Sequence, residues 1–170
     1  MACDLTRSRT RNCKNSIGGN SKLFLYNSLE DAFTVVGSEA TAMNVALTEA
    51  YSYELEGDLN TLEEVIIGER QNGTRFNTQT LTISLKGMSA ADAAEFNLLA
   101  SSFSQGVIKD RNGNYLCLGL DDGMDWQITA TTGGAKGDLS GYTIVGTATT
   151  AELAPTMDSA TETAFLAVVV

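Results

Sequence analysis

The chain has 170 residues, 43% hydrophobic and 19% charged, which suits one globular domain with a sizeable core and excludes a disordered chain. A formal net charge of −10 and a pI near 4.3 speak against a nucleic-acid grip, because phosphate contacts need Lys and Arg. There is no histidine, so Ser-His-Asp and Cys-His catalysis are excluded, and no motif singles out a carboxylate pair: the chain reads as non-enzymatic.

Residues 1–20 read as an irregular arm closed by Ile17-Gly18-Gly19-Asn20, and residues 21–170 as a single β-rich domain. Arg7, Arg9, Arg11, Lys14 and Lys22 crowd the first 22 positions, the pattern of a solvated or partner-facing arm. The arm has no apolar core of a signal peptide, so the expectation is a protein made without export, in a cytoplasm. No apolar run approaches the roughly 20 residues that span a bilayer, and no membrane partner is expected. Cys3, Cys13 and Cys117 lack C-x-x-C spacing, which favours free thiols; a Cys3–Cys13 bridge needs oxidising surroundings. No cofactor or metal is expected.

Lys22 to Tyr26 reads as a short apolar strand and Phe33 to Val36 as another, with residues 27–45 otherwise hard to read. In the segment 51–56, Tyr51, Tyr53 and Leu55 fall on one face and Ser52, Glu54 and Glu56 on the other. Thr61 to Arg70 and Thr74 to Lys86 form a long hairpin around Asn72-Gly73. Its returning strand places Leu81, Ile83 and Leu85 on one side, and Thr78, Thr80, Thr82 and Ser84 on the other. Such a ribbon is either part of an ordinary sandwich with a wet polar face, or joins identical ribbons into a closed barrel.

One helix follows, with Ser89 as N-cap, Asp92 in the capping-box place, Phe96, Leu99 and Phe103 at helical spacing with Ala91, Ala94 and Leu98 on an adjoining stripe as core, and Gly106 as terminator. Gly106 to Lys109 and Tyr115 to Leu120 make a second hairpin, and Trp126 to Thr131 and Tyr142 to Thr149 further strands. Trp126 is expected in core or interface. The apolar end Phe165-Leu166-Ala167-Val168-Val169-Val170 reads as a buried strand, paired in its own sheet or against a neighbour. Asp110-Arg111-Asn112-Gly113-Asn114 matches the start of a calcium loop but lacks Gly at its sixth place and Glu at its twelfth, so it reads as a turn. Gly133 to Asp138 lacks the residue order of a phosphate-binding loop and reads as a connection.

Met1-Ala2-Cys3, Cys13-Lys14, Gly18-Gly19, the Asn72-Gly73-Thr74 turn, helix 89–104, Asp110 to Tyr115, Leu118-Gly119, Gly123, Gly137-Asp138, Gly141-Tyr142 and Ala154-Pro155 form a skeleton over most of the chain. That skeleton resembles structural proteins of tailed bacteriophages and is similar in layout to phage tail tube proteins. The resemblance implies a mainly β fold with one α-helix, a β-sandwich or barrel with a long hairpin. It implies a homo-oligomer, with hexameric rings stacked into a virion tail tube that meets other tail and connector proteins. DNA would pass without sticking. Ser52, Glu54, Glu56, Thr78, Thr80, Thr82 and Ser84 would face the lumen; Arg7, Arg9, Arg11, Phe165, Leu166 and Val168 would lie at subunit contacts. The alternatives are another virion part, a capsid decoration or head–tail connector, and a calcium- or carbohydrate-binding β-domain built on the Asp110–Asn114 and Asp121–Asp122 turns.

Overall fold

A computed structural model describes residues 5, 7–11 and 13–170. Up to Gly19 the described residues form neither helix nor strand; Cys3 lies outside them. The chain then forms β1 (Asn20–Tyr26), β2 (Phe33–Val36), β3 (Glu39–Met43) and β4 (Tyr51–Glu54). The long hairpin follows as β5 (Thr61–Glu69) and β6 (Thr74–Lys86), then α1 (Ala90–Leu99). After it come β7 (Gln105–Asp110), β8 (Tyr115–Leu118), β9 (Asp125–Thr131), β10 (Gly141–Thr150), β11 (Thr156–Met157) and α2 (Ser159–Leu166).

The fold is mainly β, with two sheets. The larger has the order β2-β3-β11-β8-β7-β1-β4 and the smaller β5-β6-β10-β9. β10 pairs with β6 from Gly141 opposite Lys86 to Thr150 opposite Asn77, so β6 is an inner strand, and β5 and β9 are the edges. Gly73, at φ 65°, supplies the left-handed residue that closes the β5–β6 turn.

One core lies between the sheets. Leu23, Leu25, Ile108 and Leu118 of the larger meet Leu81, Ile83, Trp126, Tyr142 and Ile144 of the smaller. Phe96 and Leu99 of α1 join them, the Phe96 ring 4.7 Å from that of Tyr142. The opposite face of the larger sheet carries Phe24, Tyr26, Val107, Tyr115 and Cys117, covered by Phe165 of α2. Both faces of β1 are therefore buried, which is why Leu23-Phe24-Leu25-Tyr26 is an unbroken apolar run without polar alternation.

Three sequence expectations are corrected. There are two helices among the described residues, not one, because the C-terminal apolar run is no strand. Asp158 caps α2, its Oδ1 accepting from the Thr161 N–H at 2.7 Å, and the helix drops Phe165 among Phe24, Tyr26 and Phe33. Only Val169 keeps strand-like pairing, a single parallel bridge to Ala50. Second, α1 stops at Leu99, and only Phe96 and Leu99 are buried; Leu98 and Phe103 are 67% and 64% exposed. A helix lying on a core by one narrow stripe leaves the adjoining stripe wet. Third, Gly106 does not end the helix but sits inside β7, where an added Cβ would lie 3.2 Å from the Phe24 carbonyl oxygen.

Candidate assembly surface

The alternation of β6 sorts Asn77, Gln79, Leu81 and Ile83 inward and leaves Thr78, Thr80, Thr82 and Ser84 half-buried on the outer face of the smaller sheet. The register widens this row across the sheet. Ser84 lies opposite Thr143, Thr82 opposite Val145, Thr80 opposite Thr147, and Thr78 opposite Thr149. On the β5 side the same row continues with Thr61 and Glu63, on the β9 side with Thr129 and Asp125. β-Branched threonines hold their rotamers on a pleated surface and pair across strands, giving a face of hydroxyls and acids. The sequence reading missed Thr143, Thr147 and Thr149, although the alternation of Thr143-Ile144-Val145-Gly146-Thr147-Ala148-Thr149 carried the signal.

The other three candidate lumen residues lie elsewhere. β4 belongs to the larger sheet, where Ser52 is opposite Phe24 and thus on the face turned away from the smaller sheet. Glu54 and Glu56 approach the hydroxyl row only at one corner, a cleft lined by Glu54, Glu56, Ser84, Leu85 and Lys86. Both are ion-paired there, Glu54 with Lys22 at 3.2 Å and Glu56 with Lys86 at 3.1 Å. The structure therefore does not gather the seven residues on one face.

The candidate contact residues also separate. Arg7, Arg9 and Arg11 are exposed in the segment before β1, which is tied down at Ile17: its N–H donates to Asn112 Oδ1 and its carbonyl accepts from Asn112 Nδ2, both at 2.9 Å. Leu166 is 41% exposed and Val168 half-buried. Phe165 is fully buried inside its own chain and is unavailable to a neighbour, which corrects that assignment.

The β5–β6 hairpin outruns its sheet. β10 ends opposite Asn77, so among the described residues the ribbon beyond that point has no partner strand on the β6 side, where only Arg75 reaches back, to the Ala151 carbonyl at 3.4 Å and to Glu152 at 3.5 Å. Ile67 and Phe76 are 44% and 38% exposed there, and Val65 and Ile66, opposite Thr78 and Asn77 at the last levels that β10 still backs, are each 45% exposed. Its base is pinned by a polar network that sequence reasoning did not find. Glu64 Oε1 accepts from Asn77 Nδ2 at 2.9 Å, Gln79 Nε2 at 3.0 Å and the Ala154 N–H at 2.8 Å. Gly119 N–H donates to Gln79 Oε1 at 3.0 Å, tying the ribbon to the larger sheet. Inward polar residues such as these break the apolar half of the alternation, so only the hydroxyl half stands out in the sequence.

The two loops with ligand-like spelling are closed on themselves. Asp110 accepts from Asn112 N–H and Asn114 N–H at 2.9 and 2.8 Å, and from both Asn side-chain amides. Burial pushes its pKa up, but these bonds outweigh it and hold the carboxyl below its ordinary value. Asp138 sits where an anion would, accepting from Gly134 N–H and Ala135 N–H at 2.9 and 2.7 Å, and its pKa is lowered by those bonds. No family model matches the chain, and no curated protein and no solved structure matches it.

Proposed function

We propose that this chain is a non-enzymatic structural subunit of a virion tail tube, a β-sandwich that joins copies of itself through the edges of its smaller sheet. The observation that carries the reading is that sheet's two edges, β5 and β9, which have no partner strand among the described residues, one of them running past the end of β10 into a two-stranded ribbon. An unpaired edge of nine residues is a template for another strand, and β5 of one copy set against β9 of the next extends the sheet without using up either end. Such a contact is heterologous, and repeated by rotation it closes a ring, hexameric in the tail tubes that the sequence resembles.

In a closed ring the hydroxyl face becomes one continuous wall. Thr78, Thr80, Thr82, Ser84, Thr143, Thr147 and Thr149 with Glu63 and Asp125 offer phosphates no fixed cation, and the net charge of −10 repels them. That suits a lumen through which DNA slides. Glu54 and Glu56, already paired with lysines, lie at its rim. Arg7, Arg9 and Arg11, exposed ahead of β1, would meet other copies or connector proteins.

Negative-stain images and sedimentation of the purified full chain test the reading. Rings or hollow filaments are expected; a chain that stays monomeric over a broad concentration range would overturn it. The lumen assignment is tested separately with Thr80→Lys and Thr147→Lys together, which should leave rings intact but make them retain DNA in a gel-shift assay. Rings that still fail to hold DNA would sink it.

A further inference from the structure

Beside β4, the edge strand of the larger sheet, α1 leaves a cleft of about 290 Å³ lined by Leu25, Tyr51, Tyr53, Leu98, Leu99 and Ser102. Its walls mix aliphatic and aromatic side chains with the polar Asn27, Ser102 and Ser104, and its rim is acidic. Glu49 accepts from the Tyr51 hydroxyl at 3.1 Å, and Glu95 lies on α1 among the lining residues. The acids are felt inside it: burial first, then Glu95 and Asp92, raise the Tyr53 phenol above its ordinary pKa. The hairpin tip has the complementary character. Ile67 and Phe76 are exposed on it and Val65 and Ile66 at its base, and Arg70, exposed at its turn, makes no ion pair among the described residues.

We infer that the cleft between β4 and α1 receives the β5–β6 hairpin tip of a second copy of this chain, with Arg70 of the tip meeting Glu49 and Glu95 on the cleft's rim. The inference rests on the self-assembly reading above and names a contact that it leaves open.

The topology places the two halves so that copies standing side by side can join them. Tip and cleft lie at the same end of the molecule. Leu25, in the cleft, pairs with Gly106, and Gly106 with Leu118. The next residue, Gly119, donates to Gln79, two positions from where the ribbon leaves β10. They lie on opposite flanks, however. The tip extends β5, one edge of the smaller sheet, whereas Phe96 of α1 bridges Tyr142 of β10 and Tyr53 of β4 toward the β9 side. A copy placed with its β5 edge toward its neighbour's β9 edge thus carries its tip to that neighbour's cleft. The contact buries Ile67 and Phe76, which the two-stranded tip leaves wet, and extends to Val65 and Ile66 at its base. It also sets a cation against two carboxylates, which fixes the neighbour's register.

Charge reversal and cross-linking in the full chain test this, read by sedimentation at low salt where surface charges are least screened. Arg70→Glu and Glu95→Arg should each raise the protein concentration needed for assembly by about tenfold, because like charges then meet. Combining them should restore it. On a Cys3→Ser, Cys13→Ser background, Ile67→Cys with Leu98→Cys should give a ladder of covalent multimers under a short bismaleimide, which neither single variant gives. Both positions are exposed, so folding is not at stake. Wild-type rings with neutral charge reversals and no ladder would overturn the docking and leave self-assembly standing. A wild-type chain that never assembles would overturn both.

Discussion

Removing the Phe165 ring tests the part of the fold where sequence and structure differ most. The side chain is fully buried, edge-on to Phe24 with centroids 5.5 Å apart, and within 6.0 and 6.4 Å of the Phe33 and Tyr26 rings. Truncation to Ala withdraws about 150 Å² of apolar surface, about 4 kcal/mol at 25 cal/mol per Å². A compact denatured chain discounts this to about 3 kcal/mol, the low end of measured Phe→Ala losses. With a urea slope near 2 kcal/mol per M, the midpoint of Phe165→Ala falls by about 1.5 M. Leu166→Ala, next in sequence but 41% exposed, should cost less than about 1 kcal/mol. Urea titrations followed by far-UV circular dichroism, at concentrations where the chain is monomeric, compare the two. A Phe165→Ala midpoint within about 0.3 M of wild type, or equal losses at both positions, would refute the docking of α2.

Gly146 lies opposite Trp126, and a Cβ there would fall 2.6 Å from the indole. Gly146→Ala should therefore cost about 1–3 kcal/mol in thermal or urea unfolding and shift the tryptophan emission, with an unchanged spectrum counting against the stacked geometry. Cys117 is buried and its thiol is pushed up to about 12, so at pH 8 a disulfide reagent should label exposed Cys13 but reach Cys117 only after unfolding. The same shift means that the unfolded thiol ionises first, so stability present below pH 9.0 declines as pH rises toward 12. Asp110, held below its ordinary 3.8, contributes stability above that pH, which is lost as pH falls through its folded value. Asp110→Asn should thus lower the thermal midpoint at pH 7 and converge on wild type in acid; a constant gap at every pH would dismiss the linkage.

Elements whose chemistry is local were legible in the sequence. Asn72-Gly73 fixes a turn by its own backbone preference, and Ser89 caps α1 with its hydroxyl on the Asp92 N–H at 3.0 Å, so hairpin and helix start could both be read. The C-terminal run was not. Apolar composition says only that residues are buried; Asp158 and the packing of Phe165 against three aromatic rings decide the conformation, and those rings lie over 120 residues away in sequence. The candidate surface was half legible for a similar reason. Alternation gave the hydroxyl side of β6, but pairing partners set which strands share it. Thr143 and Thr147 belong to it through the register of β10, whereas Ser52 and Glu54 are excluded because β4 joins the other sheet.

An edge that invites pairing must also refuse the wrong partner, and the ribbon carries both tendencies. Val65-Ile66-Ile67 is the kind of short β-branched run that seeds indiscriminate strand addition. Glu63, Glu64 and Glu69 bracket it, with Arg70 beyond, so two ribbons laid edge to edge in parallel register set like charges side by side. Glu64 is further withdrawn into the network with Asn77, Gln79 and Ala154, which anchors the base of the ribbon while its tip stays unsupported. A Glu64→Gln change keeps the shape but turns one strong acceptor of three hydrogen bonds into a weaker neutral one, with charged acceptors worth roughly 1.5–3 kcal/mol against about 1 for neutral. The base then loosens, and edge pairing loses a fixed direction. Expected from this is amorphous aggregation at concentrations where the parent chain forms ordered particles, seen as thioflavin-negative light scattering without rings. Ordered rings of unchanged yield would show that the network stabilises the monomer alone and has no part in steering assembly.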